Sequence, residues 1–115
     1  SLEELCARTI GSLYSNAHRL ANENSMLLNY NQLSVPVISS VLSFFKVSPG
    51  AVELDAIARA GSVYSKEVSG MRTFTADADA KQKLASDRVR EAATAWAIEP
   101  YRQLEQKRLE TNEFN

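Results

Sequence analysis

Apolar residues recur along the start of the chain at Cys6, Ile10, Leu13, Ala17 and Leu20, and Asn24 and Leu27 continue the same alternation of four- and three-residue steps. This spacing keeps residues on one face of a helix, and it predicts a first helix over 2–28 with a heptad-like seam. Ser1 and Glu4 have the spacing of a capping box at its start. Gly11 inside it costs about 1 kcal/mol relative to Ala, too little to end the helix. Asn24 is the polar member of the seam, a residue type that can fix register against a partner helix. The most apolar stretch follows, LSVPVISSVLSFFKVSP over 33–49, with Lys46 as its only charge. Its β-branched content is strand-like, but Ile38, Val41 and Phe45 fall at helical spacing and the run is long for a strand. With Ser34 as cap and Pro36 in the first turn, it predicts a second helix over 35–46. A segment apolar on more than one face must be covered on more than one side, by this chain or by another. Ser39, Ser40 and Ser43 suit close packing on one side, while Ile38, Leu42 and Phe45 fill a core on the other.

Ser48-Pro49 gives a sharp elbow and the start of a third helix over 49–69. Leu54, Ile57, Gly61, Tyr64, Val68 and Met71 form its stripe, with Gly61 leaving room for a neighbouring helix. Ser69-Gly70 ends it. Thr75 then caps a fourth helix over 76–109, whose first turns hold Asp77 and Asp79 where the helix dipole favours negative charge. Asp77/Lys81 and Asp79/Lys83 are i,i+4 pairs. Val89, Ala92 and Trp96 continue the apolar stripe until Pro100, which removes a ladder bond and kinks the helix. The expected fold is all-α: a four-helix bundle-like single domain over 1–110, long in its first and last helices, with 111–115 a frayed tail.

Charge divides the chain. Residues 1–50 hold only Glu3, Glu4, Arg8, Arg19, Glu23 and Lys46, and the other twenty-one charges follow. Surfaces depleted in Lys and Glu resemble protein contact surfaces, so the N-terminal half is the expected interaction face. The net charge of −1 provides no basic field for nucleic acid or anionic lipid. The basic residues Lys81, Lys83, Arg88 and Arg90 alternate with Asp79, Asp87 and Glu91, which reads as a solvated face. No apolar run reaches the roughly 20 residues of a membrane helix, and the first residues lack a signal-peptide pattern. Cytoplasmic residence is favoured, with signal-independent secretion as the alternative.

Candidate chemistry is sparse. One His and one Cys cannot form a zinc site, the four glycines are dispersed rather than gathered in a phosphate loop, and no cofactor is expected. Cys6 lies about three turns from His18 on the same helix, beyond hydrogen-bond reach, so the pair makes no nucleophile and base. Around His18 the chain reads A-H-R-L-A-N. Ala17, His18 and Leu20 resemble the phosphorylation motif of histidine phosphotransfer domains, with Ala21 and Asn22 where that family has Lys and Gly. The resemblance implies His18 as a phosphoacceptor. Tyr101 and Glu105 form a Tyr-x-x-x-Glu pattern similar to a signal carried by substrates of the mycobacterial-type secretion system. That likeness implies a secreted helical assembly or virulence-type protein, although the Trp-x-Gly turn common in those substrates is missing at Trp96.

The leading expectation is a non-enzymatic helical interaction or assembly module. It binds a protein partner or a second copy of itself through Val37, Val41, Phe44, Phe45, Asn24 and Leu27.

Overall fold

The computed structural model describes residues 1–62 and 78–111. Every regular element among them is helical: α1 (Leu2–Leu20), α2 (Val35–Phe44), α3 (Ala51–Gly61), α4 (Ala78–Leu84), α5 (Asp87–Trp96) and α6 (Ile98–Thr111), with a 3-10 turn at Tyr30–Gln32. The all-α expectation holds at that level. The chain groups into two compact units, one of Ser1–Leu27 with the chain from Ala80 onward, the other of Leu28–Asp79.

In the first unit α1 packs along α5 and α6. The pairing is parallel, because contacts advance in the same direction on both sides. Arg8 lies over the Trp96 ring at 3.9 Å, Tyr14 meets Tyr101 at 5.7 Å between ring centroids, and Lys107 reaches the carbonyls of His18 and Ala21. Parallel neighbours cannot be joined by a tight turn.

The crossing depends on Gly11. A Cβ built there would lie 2.0 Å from the Trp96 carbonyl oxygen, so only glycine allows this approach. Pro100 completes the fit. It has no N–H for the Trp96 carbonyl four residues back, and the ladder breaks at Ala97, which caps α5 by donating to Ala93. The kink expected at Pro100 is therefore a full break, and it gives α1 a backbone to cross.

The face of α1 that turns inward is Ala7, Gly11, Tyr14, His18 and Ala21. This corrects the expected seam. Cys6, Ile10, Leu13, Ala17 and Leu20 all remain exposed, with Leu13 and Leu20 each at 62 %. Two helices this close need small residues at the contact, and the chain places Ala7 and Gly11 there. The larger residues are left on the flank.

α1 also ends sooner than its periodicity predicts. Ala21 adopts extended backbone, and Asn22 then closes a side-chain turn in which its carboxamide oxygen accepts from the Asn24 N–H at 2.8 Å. Asn and Ser side chains offer the backbone this local alternative to the helix, and here it wins over apolar spacing. Asn24 and Leu27 therefore lie beyond the helix whose seam they were expected to continue.

Within the second unit, the turn before α2 is capped at both ends of its box, Asn31 N–H to Asn29 and Asn29 N–H to Gln32. Ser34 caps α2 as expected, accepting from Val37 N–H. Just past the helix and its cap Phe45 stands Lys46, the only non-glycine residue with positive φ (58°) among the described residues. Lys46 N–H donates to Ser43 and Val47 N–H to Leu42, the paired bonds of a Schellman closure. The chain thus turns at Lys46 before it reaches Ser48-Pro49, and α3 starts later than expected, with Gly50 as its cap. Gly61 is exposed and a Cβ there meets nothing within 4 Å, so it does not admit a close neighbour among the described residues. The readings at Tyr64, Val68, Ser69, Gly70, Met71, Thr75 and Asp77 lie outside the described residues. The expected fourth helix is three: α4, α5 started by Ser86 accepting from Val89 N–H, and α6.

Candidate interaction surfaces

α2 presents most of the expected interaction residues. Val37 and Val41, one turn apart, are half-buried. Phe44 and Phe45 are 39 % and 58 % exposed and meet edge to face at 5.0 Å between ring centroids. Ile38 and Leu42 are half-buried, in line with their expected core role, whereas Phe45 lies outward. The hydroxyls of Ser39 and Ser40 donate to the carbonyls of Val35 and Pro36 within the helix. Their hydrogen bonds are met internally, so this side of α2 can approach another surface without polar demands on it. Leu33, Val35 and Val47 extend the exposed apolar surface at both ends.

Asn24 and Leu27 belong to the first unit, Asn24 exposed in the Asn22 turn and Leu27 half-buried. They do not share an element with the α2 residues.

The α1/α5 pair has two unlike sides. On one, Arg8, Ser12, Ser15, Asn16, Trp96 and Pro100 line a recess of mixed polar and apolar character. Its charge is internally matched, because the Arg8 guanidinium that stacks on Trp96 also donates to Glu4 at 2.6 Å. On the other side, Leu2, Cys6, Ile10, Val89, Ala93 and Ala97 line an apolar groove of about 290 Å³. Sequence reasoning found the α1 half of this groove but assigned it to an internal seam. Its α5 wall was legible as Val89, Ala93 and Ala97 at four-residue spacing, once Ser86-Asp87 is read as a helix start.

His18 is half-buried in the last turn of α1. Lys107 is the cation that arrives there, and its ammonium donates to the His18 carbonyl at 2.7 Å and the Ala21 carbonyl at 3.0 Å. It closes the end of the helix, where carbonyls lack partners and the dipole is negative. Glu3, at the other end, has its carboxyl held below its ordinary value, first by its own backbone N–H and then by the Ser1 hydroxyl and Arg88, with slight burial opposing. Arg108 is almost covered and donates to Glu105 one turn back, which raises its pKa further.

Among the described residues no three His, Cys, Asp or Glu side chains gather to hold a metal ion, and no helix is long and apolar enough to cross a membrane. Comparison of the chain with family models, curated proteins and solved structures finds no match.

Proposed function

We propose that this protein is a non-enzymatic helical interaction module that completes its apolar packing by associating with another helical surface. One observation carries the reading. Among the described residues Ala7 is the only buried apolar residue, no large side chain is fully buried, and Phe44, Phe45, Leu13 and Leu20 stand in solvent. An isolated apolar residue at the surface is ordinary, but a run of them with no core beneath marks an interaction surface. The α2 face supplies the aromatic anchors such contacts favour, in a half of the chain with few charges to desolvate. A bundle-like arrangement of helices is then a property of the assembled state.

Affinity capture comparing wild type with Phe44→Asp tests this reading, with circular dichroism showing that the variant keeps its helix content. Wild type is expected to retain a partner that Phe44→Asp loses. Equal capture by the two proteins contradicts it.

A further inference from the structure

We propose that the recess between α1 and the α5–α6 junction is a small-molecule site for a neutral, planar nitrogen heteroaromatic. It uses none of the α2 residues and none of those that line the apolar groove. Its volume of about 420 Å³ suits a small organic molecule.

The apolar part of the recess is Trp96 with Pro100, and Gly11 beside them has no side chain to fill the space. The Trp96 side chain is 42 % exposed, so part of its ring is open to a stacking partner. Arg8 extends that surface. Its guanidinium lies over the Trp96 ring at 3.9 Å, and a guanidinium plane stacks on heteroaromatic rings much as an aromatic side chain does.

Charge points to a neutral ligand. Arg8 donates to Glu4 at 2.6 Å, so an anion would have to compete with a carboxylate already in place. None of the described residues that line the recess is acidic, so a cation gains no partner there.

The hydrogen-bonding groups point to a ring with acceptor atoms. On the same helix Thr9 donates its hydroxyl to the Leu5 carbonyl at 2.9 Å, the usual outlet for such a group. Ser12 and Ser15 make no such bond among the described residues, and each hydroxyl can donate as well as accept. The Asn16 carboxamide oxygen accepts from Arg19 at 3.2 Å, which leaves its NH₂ group to donate. Three donors along one face of α1 match ring nitrogens or carbonyls along the edge of a planar ligand. Most of the lining side chains are exposed, so binding should be weak, with a Kd of about millimolar.

Titration of the ¹⁵N-labelled protein with adenosine, followed by amide and indole N–H shifts at about 0.15 M salt, tests this. Ribose and adenosine monophosphate are the comparison probes. The expected result is a saturable shift centred on Ser12, Ser15, Asn16 and Trp96 with adenosine, none with ribose, and less than a tenfold gain from the phosphate. Ser12→Leu and Ser15→Leu should each lose the response, whereas Ile10→Gln on the groove side should keep it. Dichroism identifies which of these variants stay folded, and one folded serine variant is sufficient. Four results would overturn the proposal: no saturable shift, shifts centred elsewhere, an equal response to ribose, or an adenosine response unchanged in a folded serine variant. Adenosine monophosphate binding more than tenfold tighter than adenosine would also overturn it, because the site would then be selecting an anion.

Discussion

Three residues hold backbone positions that their sequence neighbours do not reveal, and each gives a signed prediction. Gly11 sits where a Cβ would strike the Trp96 carbonyl, whereas a Cβ on Gly61 meets nothing within 4 Å. In an exposed helix Ala is better than Gly by about 1 kcal/mol, while forcing an extra methyl into a tight contact costs about 1–3 kcal/mol. Because the obstacle at Gly11 is backbone and cannot rotate away, Gly11→Ala should destabilise by about 2 kcal/mol net. Gly61→Ala should stabilise by at most about 1 kcal/mol. Urea denaturation of the two variants reads the opposite signs directly. Lys46 holds φ 58° at the Schellman position, a conformation glycine adopts without the Cβ penalty. Lys46→Gly should therefore raise stability by about 0.5–1 kcal/mol, seen as a higher urea midpoint with an unchanged slope. Lys107 closes α1 through two carbonyls. Lys107→Met should cost about 1.5–2 kcal/mol and speed amide exchange in the last turn of α1 selectively. Glu3 gives the pH dependence. Its folded pKa lies below the ordinary 4.5, so its contribution is full above that value and disappears as pH falls through the folded pKa. Thermal melts of Glu3→Gln should accordingly show a shallower loss of stability on the acid side than wild type.

Element by element, the sequence was readable wherever local chemistry alone decided the outcome. Ser1 and Ser34 cap α1 and α2 at the expected residues, and helix beat strand across 35–44 because apolar spacing and the Pro36 start agreed. Readability failed where two local signals competed. At the end of α1 the apolar repeat ran on through Asn24 and Leu27, but the Asn22 side chain turned the chain instead. In the last third of the chain one helix was expected across Ala85-Ser86 and Pro100. Ser86 acts there as a new cap, and the missing proline donor separates α5 from α6. The facing of α1 was not legible at all. Periodicity located an apolar stripe correctly, but which stripe meets α5 depends on how closely two backbones approach, and that is set by Gly11 together with Trp96. The same pairing makes a prediction about Pro100. Pro100→Ala restores an N–H for the Trp96 carbonyl and favours one continuous helix. It should raise total helicity by dichroism while weakening the α1 crossing, so that Gly11→Ala costs less in the Pro100→Ala background than alone.

Among the described residues, large apolar side chains lie on surfaces rather than in a core. The α1/α5–α6 pair is held by small residues, stacked side chains and the Lys107 closure, and apolar side chains line a groove along it. α2 likewise exposes two phenylalanines. The exposure of Phe44 and Phe45 is what makes the expected use of this apolar run as a contact face open to test. The α1 stripe was foreseeable as a stripe but not as a surface. The central claim is that these exposed apolar faces are covered by another helical surface, and the paired Phe44 and Phe45 rings on α2 are the place to test it. The measurement is affinity capture by wild type and by Phe44→Asp, with dichroism showing that the variant keeps its helix content. The prediction is a partner that wild type retains and the folded variant loses. Equal capture by the two would contradict the account.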